Sequence, residues 1–260
     1  MHARSRQGDG LLRLLQFTDL HLRDGPQQRV RGVATHDTFR RCLAHAAGKV
    51  QAADALLLTG DLVQDEAGGY RQLAALLASS SVPVLCLPGN HDLPRDLAAL
   101  LPAPPFELAP ATRLGDWAIL LLDTSVPGAA HGRLGHESLG ALDALLSTHA
   151  GVHVLVCLHH QPVPIGSLWL DAIGLRDGDA LLEVARRHGN VRGLLWGHVH
   201  QDFDECRDGM RLMGTPSTCF QFSPGLAGFA IDGRPPGYRW LTLHPDGRIE
   251  SQVVWLPVQE

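Results

Sequence analysis

The sequence predicts an α/β fold. Short apolar runs of strand length alternate with stretches whose apolar residues recur every three or four positions, the spacing of an amphipathic helix. The chain then closes on two alternating segments, each with an Asp-Gly pair at its centre, so antiparallel hairpins finish the β-α body. Its 260 residues suit one large domain, 1–260, and no repeat, low-complexity tract or linker marks a second.

Taken in order, the first buried strand is expected at 11–17 (LLRLLQF), followed by one helix over 35–53 (THDTFRRCLAHAAGKVQAA). A second strand at 55–60 (ALLLTG) precedes a helix over 70–79, and a third at 82–89 (VPVLCLPG) ends in a Pro-Gly turn. The Pro-rich segment LPAPPFELAP (101–110) reads as a loop that cannot join a central strand. Strands follow at 117–124, 153–160 and 192–198, with helices over 136–150 and 177–189, the last stopped by Gly189. The hairpins lie within 201–217 and 237–256.

A hydrophobic content of 45% is enough for a substantial core, and a net charge of −5 gives no electrostatic footprint for a nucleic-acid polymer. The five cysteines (Cys42, Cys86, Cys157, Cys206, Cys219) are odd in number and show no C-x-x-C spacing, which suits a reducing compartment. The opening MHARSRQGDG lacks the apolar core of a leader, and no apolar stretch reaches the length of a membrane span. The expectation is a cytoplasmic protein with no membrane partner.

The informative polar residues fall where the apolar runs end. Asp19 and His21 (FTDLH) follow the first run, Asp61 (TGDLVQD) the second, and Asn90, His91 and Asp92 (LPGNHD) the third. His159 and His160 end the fifth, and His198 and His200 (WGHVH) follow the sixth. Ligands of open α/β sheets gather outside the carboxyl ends of the strands. A single strand-end His or Asp is usually a turn or cap residue, but five such segments in order can converge on one place. Carboxylate, imidazole and amide oxygen without thiolate suit manganese, iron, zinc or cobalt rather than a closed structural zinc site. The set is too large for one ion and about right for two sharing a carboxylate, the arrangement that clamps a displacement at phosphorus.

The ordered blocks D-x-H, G-D, G-N-H-D, H and G-H-x-H resemble the calcineurin-like metallophosphoesterases. LHHQPVPIGSLWLD (158–171), GHVHQDFD (197–204) and GTPSTCFQF (214–222) are similar to the bacterial class III 3′,5′-cyclic-AMP phosphodiesterases. The resemblance implies a four-layer α/β/β/α sandwich with two mixed β-sheets. It implies two di- or trivalent metal ions, iron or manganese foremost, with zinc and cobalt as alternatives. Asp19, His21, Asp61 and His200 would hold one ion, and Asp61, Asn90, His159 and His198 the other. The implied reaction is hydrolysis of cyclic AMP to 5′-AMP by in-line attack of a metal-bridging hydroxide.

His91 is the expected proton donor or phosphoryl contact beside Asn90, with Asp92 orienting it; bracing of the loop is the alternative for that pair. Substrate contacts are expected from Asn90, His91, His200 and His131, the last in a His-Gly pair that matches the family's phosphate-contacting position. His160 reads equally as a supporting residue or a substrate contact, and Phe220 or Phe222 as a base-stacking or a core aromatic. A glycerophosphodiester, a 2′,3′-cyclic nucleotide or a nucleotide-sugar lipid are alternative substrates, and a non-catalytic scaffold of the same fold is the rival of another class.

Overall fold

In a computed structural model of the chain, which describes residues 9–258, two six-stranded sheets face each other. The first has β1 (Leu12–Phe17), β2 (Ala55–Thr59), β3 (Val84–Leu87) and the two-residue β4 (Phe106–Glu107) in parallel. The C-terminal hairpin of β13 (Gly237–Leu243) and β14 (Ile249–Trp255) adds to it antiparallel to β1, giving the order β14-β13-β1-β2-β3-β4. The second sheet runs β5-β6-β7-β8-β10-β9. Its parallel centre is β6 (Trp117–Leu121), β7 (His153–Cys157), β8 (Val191–Trp196) and β10 (Met210–Gly214). Both edges, β5 (Ala111–Leu114) and β9 (Phe203–Arg207), are antiparallel. A short pair, β11 (Gln221–Phe222) and β12 (Ile231–Asp232), stands apart.

The apolar runs are continuous because the central strands are buried on both faces. Alternate side chains then go to different cores. Leu15 and Phe17 of β1 and Leu56 and Leu58 of β2 pack with Phe39, Tyr70, Leu73 and Leu97. Those four side chains come from α1 (Thr35–His45), α3 (Gly68–Leu77) and α4 (Pro94–Leu100). Leu12, Leu14 and Leu57 turn instead to Trp117, Ile119 and Leu155 of the opposite sheet. Val154, Val156 and Leu194 meet Leu142 and Leu146 of α5 (Gly135–Thr148) and Leu181 and Leu182 of α7 (Gly178–Arg187) on the far side. Helices, sheet, sheet and helices form the four layers expected.

The predicted helix over 35–53 is two: α2 (Ala47–Ala52) follows α1 after Ala46, whose φ −85°, ψ 3° leaves the helical region. The Pro-rich segment supplies β4, but only as an edge strand, where Pro is tolerated. The four-residue α6 (Leu168–Asp171), with α4 and β5, has no counterpart among the predicted elements. Both Asp-Gly pairs sit in hairpins, at Asp208-Gly209 and Asp246-Gly247. Arg239, within an apolar strand, is 1% exposed; its guanidinium donates to Asp202, Thr215 Oγ1 and the Gly214 carbonyl between the sheets. Residues 1–8, most of the segment read as lacking a leader core, and 259–260 lie outside the described residues. Among the described residues no helix is long and apolar enough to cross a membrane, and all five cysteines are free.

Candidate metal centre

The parallel register continues past the strand ends and sets the polar residues side by side. Asp19 N donates to the Gly60 carbonyl at 3.0 Å and His21 N to the Asp61 carbonyl at 2.9 Å, joining the exits of β1 and β2. Gly197 N donates to the His159 carbonyl at 3.2 Å, joining the exits of β8 and β7. His159 Nδ1 donates to the Thr59 carbonyl at 2.9 Å and so ties the two sheets together. Asp19, His21, Asp61, His198 and His200 all have left-handed backbones, with φ of 53°, 48°, 50°, 65° and 49°. Each such non-glycine residue costs on the order of 1–3 kcal/mol, and five in one place mark a site whose side chains are held inward against local preference.

Space is equally constrained. A Cβ on Gly89 would lie 2.3 Å from Asp61 Oδ1 and 2.5 Å from Asp61 N, and one on Gly197 would lie 2.0 Å from Thr18 Oγ1 and 2.6 Å from Asp19 Oδ2. Gly89 shows no positive φ, so close approach to Asp61, rather than a tight turn, requires glycine there.

The inward-facing atoms are nearly all acceptors. His159 and His200 each give their Nδ1 proton to a carbonyl, of Thr59 and of Phe220 respectively, which points both Nε2 atoms into the site. His200 Nε2 lies 3.3 Å from His21 Nε2 and 3.2 Å from Asp19 Oδ1. Asp61 is central, with Oδ2 at 3.7 Å from His21 Nε2 and Oδ1 at 3.4 Å from His159 Nε2. Asn90 Oδ1, His159 Nε2 and His198 Nε2 are buried with no hydrogen-bond partner. Ligating nitrogens and oxygens crowded together, three of them buried without a hydrogen-bond partner, are what a cation satisfies, so the residues present fit a metal centre.

Electrostatics agree. Burial pushes the Asp61 carboxyl up, but His159 and His21 hold it well below the usual carboxylate range. Burial lowers His21 to about 4 and, with His160 and His159 nearby, carries His198 far below its ordinary value, so both imidazoles are neutral and able to bind metal. Burial pulls His159 down too, yet Asp61 and Asp19 more than offset it and take that imidazole up to about 9, so without an ion its Nε2 keeps a proton directed at Asp61, which a bound cation would displace.

Residues 12–202 match the calcineurin-like phosphoesterase family. The chain belongs to that family. It is 37% identical over 253 residues to the 3′,5′-cyclic adenosine monophosphate phosphodiesterase CpdA of Pseudomonas aeruginosa, covering 97% of this chain and 93% of that protein. It is 39% identical to the CpdA of Escherichia coli K12, over 95% of this chain and 90% of the relative. The crystal structure of a dimetal phosphatase from Danio rerio superimposes with a TM-score of 0.64 at 16% identity, over 95% of this chain and 99% of that one. That likeness is one of fold.

Within this calcineurin-like centre the structure revises one expectation. Asp92 does not touch His91. Its carboxylate accepts from Gly89 N, Leu62 N, Val63 N and Tyr70 Oη at 2.8–3.3 Å, so it braces the loop. His91 Nδ1 instead faces Asp65 at 3.1 Å and Gln64 Nε2 at 2.8 Å, while His91 N donates to Asp61 Oδ1 at 2.9 Å. Asp65 carried a sequence signal, as a second carboxylate four residues after Asp61. Cys219 was missed as well: its Sγ lies within 4.8 Å of ligand atoms of His21 and His200. Burial pushes that thiol up, so it stays protonated and bonded to Ser217 Oγ at 3.0 Å, and is a poor metal ligand.

A cleft of about 420 Å³ opens over the centre, a size suited to a small molecule. His21, Asp61, Asn90, His91, His198 and His200 line its floor, and Arg31, Trp169, Phe222 and Phe229 its walls. Phe220, 6% exposed and stacked on His21, reaches the same cleft from its floor. His160 is buried beside His198, its Nδ1 at 2.8 Å from Thr124 Oγ1. The loop carrying His131 borders the cleft through Ala130, while the cleft lining does not include His131 itself.

Proposed function

We propose that this chain is a dinuclear-metal phosphodiesterase that hydrolyses 3′,5′-cyclic AMP to 5′-AMP. The convergence of unpartnered acceptor atoms on one shared carboxylate carries the dinuclear reading, and the full-length likeness to CpdA enzymes supports the substrate. Asp19, His21, Asp61 and His200 would hold one ion and Asp61, Asn90, His159 and His198 the other. The oxygen and nitrogen donors suit iron or manganese, with zinc and cobalt as chemical alternatives. The bound ions would supply a nucleophilic water at neutral pH and neutralise charge on the phosphoryl group.

The chain's own groups do the rest. Asn90 offers a neutral oxygen that adds no charge to a centre already holding two carboxylates. Asp65 fixes the His91 ring by accepting from its Nδ1, and His91 has a ring nitrogen within 4.8 Å of ligand atoms of His21 and Asp61. From there His91 protonates the leaving 3′-oxygen. We also take 1–260 as one domain, since β13 and β14 complete the sheet that β1 begins. Five free cysteines support a reducing cytoplasmic setting.

The test is the Asp61→Ala variant. Loss of both bound metal and cyclic-AMP turnover is expected, and retention of both would refute the shared-carboxylate reading. Wild-type turnover of another diester with none of cyclic AMP would refute the substrate.

A further inference from the structure

We propose that the aromatic cup of Trp169, Phe222 and Phe229, with Arg31 across its rim, is the nucleobase-binding subsite of this cleft. The assignment deepens the phosphodiesterase reading and rests on it for the position of the phosphoryl group.

Phe222 lies flat on the His200 ring, with centroids 4.2 Å apart and planes 20° from parallel, so the cup begins at a candidate metal ligand. Trp169 and Phe229 stand edge-on to Phe222, at 4.9 Å and 77° and at 5.4 Å and 69°, and edge-on to each other at 5.4 Å and 75°. Rings set at right angles do not close into one stack, and so they form walls. The Arg31 guanidinium carbon sits 4.3 Å from the Phe229 centroid and spans from the loop after β1 to the loop between β11 and β12. Arg31 holds that position from a left-handed backbone with φ 49°.

A core role explains Phe220 but not Phe229, which is 44% exposed. Leu226 and Ile231, on the same β11–β12 segment, and Leu168, next to Trp169, are also large apolar residues left in solvent. Scattered exposed apolar residues need no explanation, but Phe229 lines the cleft together with Trp169 and Phe222, and an exposed aromatic wall of a cleft marks a binding surface. The Trp169 indole N–H is buried without an acceptor, so the wall also holds an unused donor. The cup offers π-faces, a cation and that donor, and none of its four side chains is an acid. That chemistry suits a planar, electron-rich ring carrying acceptor nitrogens, placed one ribose away from the phosphoryl group.

Calorimetric titration of the metal-loaded protein with 5′-AMP and with ribose 5-phosphate isolates the base, because the two ligands differ by it alone. Wild-type protein is expected to bind 5′-AMP at least about fivefold more tightly, the low end of what stacking a base on aromatic side chains provides. Phe229→Ala, at an exposed position, and Trp169→Leu should each cut that ratio to about two- or threefold by removing a wall. Equal affinity for both ligands in the wild type, or an unchanged ratio in both variants, overturns the assignment. Turnover does not enter this measurement, so absence of cyclic-AMP hydrolysis would count against the enzymatic reading alone.

Discussion

The Gly89→Ala substitution tests how the centre is built. The added methyl would lie 2.3 Å from Asp61 Oδ1, 2.5 Å from Asp61 N and 2.8 Å from His159 Cδ2, where ordinary contact begins near 3.4 Å. One of the clashing atoms is backbone, so a flexible side chain cannot absorb the whole shift. The Asp61 carboxylate must retreat by about 1 Å, several times the ~0.2 Å within which metal–ligand distances are normally held. Overpacking of this kind costs about 1–3 kcal/mol, which lowers Tm by roughly 2–12 °C without unfolding a chain of this size. Metal content should nevertheless fall below two per chain, and kcat/KM should drop by about a hundredfold or more, the penalty of a ~1 Å misplacement in a catalytic site. Elemental analysis, a thermal melt and diester kinetics read the three quantities. Two metals and wild-type kcat/KM in Gly89→Ala would refute the placement of Asp61 at the heart of the site.

Asp65→Asn should lower kcat about ten- to a hundredfold with metal content and Tm unchanged, because Asp65 positions His91 and holds no metal. Asp92→Asn should do the reverse: it weakens acceptance from Gly89 N, Leu62 N, Val63 N and Tyr70 and lowers Tm by about 3–10 °C, and exchange of the two phenotypes would contradict these roles. The metal-free fold gains stability from the His159 proton, fully below the ordinary histidine value near 6.5; that gain is lost as pH rises through about 9. Metal must displace this proton, so metal affinity should rise about tenfold per pH unit between about 7 and 9. Calorimetry at pH 7.5 in buffers of different ionisation enthalpy should show about one proton released per chain from this group, and none would contradict the Asp61–His159 coupling.

Much of the fold was legible because period and punctuation agree. Apolar runs such as ALLLT are buried on both faces, and the Asp-Gly pairs lie in hairpins. The break at Ala46 was not legible, since Ala and Gly48 do not mark a local change of backbone conformation. The candidate ligands were legible as a group because each follows a strand, and parallel register carries strand ends to a common edge. Pairwise contacts were less so. Asp92 is the sequence neighbour of His91, yet successive residues in this loop point apart, and Asp65 reaches His91 across the exits of β2 and β3. Trp169 comes from α6 and Phe229 and Arg31 from two separate loops, and no local pattern announces a cup assembled only by tertiary folding.

The most direct measurement is metal stoichiometry taken together with cyclic-AMP turnover on the same preparation. The account predicts two metal ions per chain, conversion of cyclic AMP to 5′-AMP, and a kcat/KM for cyclic AMP above that for bis(p-nitrophenyl) phosphate. One ion or none in a fully active enzyme, or two ions with no hydrolysis of cyclic AMP, would contradict it.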